Sequence, residues 1–379
     1  MKRFVKIYTY WLLGILLFTG CDDYLKEDSG DLLIPGKVEE FLPMLYREGF
    51  PRNFNDEVAW LYLMTDDVEM GQLELDPEDE ANDTRDKNSS DAFNVGEGEE
   101  PYKWEREIKS YADNFWERRY GNILACNLVI DALPEMEYVE ADSGNYNFLA
   151  AQAYALRAYN YWCLVNSYAL PWSKENLDKP GVIIRMEPQI NISPRGRSSI
   201  REVYDLINED IEKAEKYINI ATFDGNIHRL SEPAILLLAS RIALFQENWD
   251  EVIRTGKLFL AQNSVILNLN DQDTTLFGTE KGLSNKIFTM MDGTINKEVV
   301  FTFGTQSYSP YQYLSTTGAL YGLGFRPSHS TDESLIRSYE EGDLRKKAYF
   351  LEDVPATKAE NWWEESRPYE YKYYYPIKY

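Results

Sequence analysis

The sequence predicts a mainly α-helical protein, a helical-repeat scaffold with one loop-rich face and a few short strands. Three observations carry that expectation. Between residues 110 and 262, four segments place apolar side chains at steps of three and four, the spacing that lines one face of a helix. The last of these segments is two helices joined by a short turn, the unit from which stacked repeats are built. After residue 261 the helical spacing fades, and Pro, Gly, Asn, Thr and Tyr become frequent.

The N-terminus comes first in the chain. Lys2, Arg3 and Lys6 precede an apolar stretch at 7–18, broken only by Thr9 and Gly14. A charged start, a short apolar core and small residues at Thr19 and Gly20 mark a secretory signal over residues 1–20. The stretch is shorter than the ~20 residues that a membrane-spanning helix needs. Phe18-Thr19-Gly20-Cys21 resembles a bacterial lipobox, in which the cysteine takes a lipid and becomes the mature N-terminus. The alternative is an ordinary leader followed by a chance cysteine. With only three cysteines in the chain, one of them at this position favours lipidation of Cys21.

Residues 21–36 read as an acidic tether, and 37–379 as a single domain with its helices mainly in 37–262 and its loop-rich part in 263–379. Within 37–64 the apolar positions have helical spacing, with breaks expected at Pro43 and Pro51. Residues 76–100 are acidic and rich in Asn, Ser and Gly, the composition of a long surface loop. A helix is predicted over 110–133, ended by Pro134. Another is predicted over 146–168, apolar nearly all round and therefore buried. Its Arg157 needs a carboxylate or several carbonyls, because an unpaired buried charge is costly. Ser199 and Glu202 form a capping box for a third helix striped by Ile200, Val203, Tyr204, Ile207, Ile211, Ala214 and Ile218. Ser231, with Glu232 and Pro233 behind it, caps a fourth over 234–245. A turn at Asn248 and Trp249 leads to its partner over 252–260, and this pair resembles a tetratricopeptide unit. Residues 298–303 (EVVFTF) read as a strand and 371–375 as another.

Charge and motifs mainly exclude. A net charge of −24 repels nucleic acid and polyanionic glycans. There is no nucleophile elbow, zinc-protease helix, phosphate loop or dinucleotide fingerprint, so no cofactor is implied. His228 follows a turn and His329 sits among Ser and Thr, both positions of ordinary surface residues. No local motif selects two of the 63 acidic residues as a glycosidase pair. The run 76–83 lacks the spacing of a calcium loop. Spacing leaves open whether Cys126 and Cys163 pair or remain buried thiols.

Several segments in order resemble the SusD/RagB family, surface lipoproteins that partner a TonB-dependent transporter in Bacteroidetes-type bacteria. Cys21-Asp22-Asp23-Tyr24-Leu25 resembles the family's mature start. Trp116, Tyr120, Ile123 and Asn127 match its W-x-x-x-Y-x-x-I-x-x-x-N helix. Residues 151–171 (AQAYALRAYNYWCLVNSYALP) resemble its most recognisable stretch, with Gln152 where the family has Glu and Ala169 where it has Gly. Residues 197–214 match the helix that follows, 238–249 an L-x-x-R-x-x-L-x-x-x-x-W repeat, 298–301 a strand, and Asp343-Leu344-Arg345 a D-x-R. Family members are usually longer, with further helices beyond the point that Tyr379 occupies here.

The resemblance implies a tetratricopeptide-like scaffold with a loop-rich ligand-binding face and no catalysis. It further implies a lipid anchor at the outer membrane facing the exterior, a glycan ligand, and a SusC-like transporter as partner. The same fold binding peptide, or serving mainly as the transporter's lid, is the alternative. A pyranose presents C–H groups to an aromatic ring and hydroxyls to polar side chains. Two segments have that mix. Tyr102 and Trp104 end the acidic loop, and Tyr308, Tyr311, Tyr313 and Tyr321 lie among Gly, Ser, Thr and Gln. Trp172, Trp362 and Trp363 are weaker choices. For every ring, packing on the scaffold is the competing role.

Overall fold

The computed structural model describes residues 37–51, 64–70, 100–107, 115–136, 138–188, 193–271, 298–302, 325–328, 334–352 and 374–376. The expectations at Cys21, 76–83, Tyr308, Tyr311, Tyr313, Tyr321, His329, Trp362 and Trp363 lie outside them.

Helix α1, Val38–Glu48, buries Val38, Phe41 and Leu45. It runs through Pro43, where a break was expected. Proline removes one helical hydrogen bond at a cost of about 3 kcal/mol. Here the ring lies on the exposed face, while the apolar stripe opposite is held in the core. Helix α2, Phe115–Ala132, gives way at Leu133 to a short 3-10 turn that contains Pro134. Helix α3, Ser143–Tyr168, begins earlier than its apolar stretch suggested, and its middle is buried nearly all round, as expected.

Helix α4, Ile200–Ile218, starts from the predicted capping box. The Glu202 amide donates to Ser199 Oγ at 3.2 Å, and the Ser199 amide donates to Glu202 Oε2 at 2.7 Å. Helix α5, Glu232–Phe245, is capped by Ser231, whose Oγ accepts from the Ala234 amide at 3.3 Å. Helix α6, Trp249–Gln262, begins three residues earlier than periodicity indicated. Asn248 Oδ1 accepts from the Glu251 amide at 3.3 Å and so fixes the first turn there.

Helices α2 and α3 pack together, α3 packs along α4, and α5 packs along α6. One apolar cluster joins α1 to the first half of α3 and the C-terminal ends of α2 and α4. A second joins the latter half of α3 to the front of α4 and to Ile242 of α5. The connection between α3 and α4 doubles back on itself. The Gly181 amide donates to Ser198 O at 2.7 Å, and the Ser198 amide donates to Val182 O at 2.9 Å. A Cβ on Gly181 would come within 3.1–3.2 Å of the Ser198 and Ile200 backbone, which explains the glycine.

Strands are few among the described residues. β1, Val68–Met70, pairs antiparallel with β2, Phe325–Pro327. Short helices α7, Leu335–Ser338, and α8, Leu344–Tyr349, follow. β3, Phe350–Glu352, then pairs antiparallel with β4, Tyr374–Pro376, which overlaps the strand read at 371–375. The other expected strand does not form over its described residues 298–302. They make no ladder. The Thr302 amide donates to Ile227 O at 2.9 Å, and Val300 and Phe301 pack against the first cluster. A β-prone run becomes a strand only when a neighbouring strand accepts its hydrogen bonds.

Arg157 finds the partner that burial demands. Its Nε and Nη2 donate to Asp210 Oδ2 and Oδ1 of α4 at 2.8 and 2.7 Å, and its Nη1 donates to Asn127 Oδ1 of α2 at 2.9 Å. All three side chains are buried. Burial pushes the Asp210 carboxyl up, and the two guanidinium bonds pull it back toward the charged form. Gln152 has a different role. It takes the Leu230 amide on Oε1 at 2.9 Å and donates to Leu230 O at 2.7 Å, which fastens α3 to the start of α5. Cys126 and Cys163 are not joined in a disulfide, and burial pushes the Cys126 thiol up to about 12.

Two predictions follow from these contacts. Arg157→Met strands a buried carboxylate and is expected to lower unfolding free energy by ~3–5 kcal/mol in denaturant titrations. Adding Asp210→Leu to it should restore much of the loss, and a single-variant cost below ~1 kcal/mol would contradict the pairing. Ser199 holds the Glu202 carboxyl below its usual value. The contribution of that cap is therefore complete above the ordinary carboxylate range and lost as pH falls through the lowered value. Protection of the amides at 201–203, corrected for the intrinsic pH dependence of exchange, should fall on acidification, and Glu202→Gln should flatten that fall.

Candidate functional site

Of the first predicted aromatic segment, residues 100–102 are helical and 103–104 form the turn that holds Trp104. The Trp104 amide donates to Pro101 O at 3.0 Å, and the Glu105 amide donates to Glu100 O at 3.0 Å. These bonds close the turn and place Trp104 at φ 54°, the left-handed region that bulky residues avoid. Its indole is 68% exposed. Tyr102 shares the turn and is half-buried. Strain and an exposed large ring both cost free energy, and such outliers persist where a site needs the side chain. Trp172 has the scaffold role instead, with its ring edge-on to Tyr204 at 4.7 Å.

The scaffold below is held by the residues of the W-x-x-x-Y-x-x-I-x-x-x-N helix. Trp116 and Tyr120 rings lie 5.0 Å apart, and Trp116 meets Tyr168 of α3 edge-on at 4.9 Å. The Tyr120 hydroxyl donates to Ile183 O at 2.7 Å, and burial pushes it up to about 12. Asn127 Nδ2 donates to Arg185 O at 3.0 Å and to Glu187 O at 3.2 Å. The Tyr161 hydroxyl donates to Arg185 O at 2.7 Å and accepts from the Arg185 amide at 2.8 Å. The motif thus clamps the extended segment 183–187 onto α2 and α3. Arg195 pairs with Glu187 farther along the same connection.

His228 is exposed, with Nδ1 3.1 Å from Thr302 O. Among the described residues, no cluster of three or more His, Cys, Asp or Glu is placed to hold a metal ion. No helix among them is long and apolar enough to cross a membrane.

Sequence reasoning missed a group of four tyrosines on the scaffold. Tyr138 and Tyr146 stack at 4.3 Å with 22° between their planes. Tyr154 of α3 and Tyr217 of α4 lie 5.9 Å apart and nearly parallel, at 5°. Tyr154 had been read as one more apolar position of a buried helix. Only the packing of α4 along α3 brings Tyr217 to it, so periodicity along one helix held no signal for the pair.

Residues 50–244, more than half of the chain, match the SusD-like family described as starch-binding and associating with the outer membrane, and the chain belongs to that family. A SusD-like protein of Formosa agariphila is 27% identical over 158 residues, which are 41% of this chain and 27% of that one. A SusD-like carbohydrate-binding protein of Bacteroides vulgatus superposes with TM-score 0.59 at 19% identity, over 86% of this chain and 63% of its own. A SusD superfamily protein of the same species gives 0.58 at 16% identity, over 90% and 67%. These likenesses define the fold. This chain thus corresponds to less than two thirds of the Formosa protein and of the first of the two B. vulgatus structures.

The clamp yields a prediction. Asn127→Ala removes two bonds to the 183–187 backbone and one to Arg157. It is expected to cost ~1–3 kcal/mol in thermal unfolding and to speed amide exchange at 183–187. Unchanged exchange there would separate Asn127 from the clamp.

Proposed function

We propose that this protein captures glycans at the cell surface, anchored through a lipid on Cys21, and delivers them to a partner TonB-dependent outer-membrane transporter without catalysing a reaction. Residues 1–20 are the leader, 21–36 the tether, and 37–379 the binding domain. The observation that carries the binding reading is Trp104. Its indole is held outward, in a strained backbone conformation, on a family scaffold described as starch-binding. A ring presented this way offers a flat face to sugar C–H groups at little further entropic cost, since the turn already fixes its backbone. Tyr102 on the same turn, with Tyr308, Tyr311, Tyr313 and Tyr321, completes the proposed aromatic face. A chain this acidic fits neutral glycans better than sulfated ones.

The test is a binding screen of plant, host and microbial polysaccharides against protein beginning at residue 22, with Trp104→Ala and Tyr311→Ala beside it. Binding to one polysaccharide is expected, weakened about tenfold or more in Trp104→Ala while circular dichroism is unchanged. Failure of the folded wild-type protein to bind any of them would overturn the glycan reading in favour of a peptide ligand or a lid.

A further inference from the structure

We propose that the tyrosine group of the scaffold, Tyr138, Tyr146, Tyr154 and Tyr217, is a second sugar-binding surface, for neutral polysaccharide chains, separate from the Trp104 turn. The proposal rests on the glycan reading above and extends it to a face that the family resemblance does not assign.

Four observations carry it. The rings come in two ordered pairs, at 4.3 and 5.9 Å between centroids. Tyr146, Tyr154 and Tyr217 all pack against the first apolar cluster, so the two pairs share one part of the scaffold. The rings are fixed from below. The Arg157 guanidinium lies 5.7 Å from the Tyr154 ring centre, and the Tyr146 hydroxyl donates to Leu133 O at 3.1 Å. The group is partly open to solvent. Tyr138 is 47% exposed and Tyr146, Tyr154 and Tyr217 are half-buried. The hydroxyls of Tyr138, Tyr154 and Tyr217 make no hydrogen bond among the described residues.

The chemistry of this arrangement is specific. The hydroxyls of Tyr120, Tyr161 and Tyr204 are bonded within the scaffold, whereas among the described residues those of Tyr138, Tyr154 and Tyr217 are not. Three uncommitted hydroxyls beside part-exposed rings supply donors and acceptors next to apolar faces, the combination that a pyranose requires. Lys213, 5.3 Å from the Tyr154 ring centre, adds an ammonium that pairs with Glu209 at 2.6 Å. The chain's net charge of −24 disfavours polyanions and leaves neutral chains as the ligand class. A surface on the rigid helices, remote in sequence from the Trp104 turn, gives a long polymer a second point of attachment and so raises avidity without a tighter primary site.

The test uses the full chain purified in detergent, run through native gels containing amylopectin, laminarin or xylan, beside Trp104→Ala and the double variant Tyr138→Ala/Tyr217→Ala. The polysaccharide that retards wild type is expected to retard the double variant about tenfold less. A trimer of the same sugar, measured by calorimetry, should bind the double variant like wild type and Trp104→Ala weakly. Tyr138→Phe/Tyr154→Phe/Tyr217→Phe, which keeps the rings and removes only the free hydroxyls, should also lose retardation if the alanine pair misfolds. Retardation equal to wild type in both tyrosine variants, with Trp104→Ala weakened, would overturn this proposal and leave the glycan reading intact. A wild-type protein retarded by none of the polymers would overturn both.

Discussion

The fold depends on one buried guanidinium. Arg157 sits at the middle of α3, where two neighbouring helices supply partners to it. It takes a carboxylate from α4 and an amide oxygen from α2. A charge in that position is tolerated only when its fork of donors is satisfied in plane, and Asp210 meets it with both oxygens. The consequence is geometric. Helices α2, α3 and α4 cannot slide past one another without breaking this contact, so the register of the scaffold is set by a polar interaction inside an apolar core. The same network reaches outward through Asn127, whose amide nitrogen holds the backbone of Arg185 and Glu187. One end of the network thus fixes helix packing, and the other fixes the long connection between α3 and α4.

That arrangement explains which features could be read from the chain and which could not. Helix α4 was legible because its cap is local: Ser199 and Glu202 are three residues apart and satisfy each other. The need of Arg157 for a partner was legible from its apolar surroundings. The partner was not, since Asp210 lies 53 residues away on another helix. Gln152, which stands where the family has Glu, fastens Leu230, a role that depends on where α5 starts. Pro43 and residues 298–302 show the opposite failure. Local rules predicted a break and a strand, and tertiary packing decided otherwise. The exposed face of α1 absorbs the proline, and no strand among the described residues receives the second segment.

The site divides in the same way. Trp104 was legible as an aromatic ring at the end of a polar loop, because composition marks such segments. Its left-handed backbone was not, since a type of residue that avoids that region gives no local signal of being placed there. The tyrosine group was hidden for a different reason, being assembled from the segment before α3, from α3 itself and from α4.

The central claim is that the Arg157 network makes the helices and segment 183–187 one cooperative unit. Native-state hydrogen exchange at the Arg185 amide, which donates to the Tyr161 hydroxyl, tests it most directly. The account predicts that this amide exchanges with the same opening free energy and the same denaturant dependence as core amides near Leu156 in α3. Exchange of Arg185 through a low-energy, denaturant-independent opening, while α3 stays protected, would contradict it.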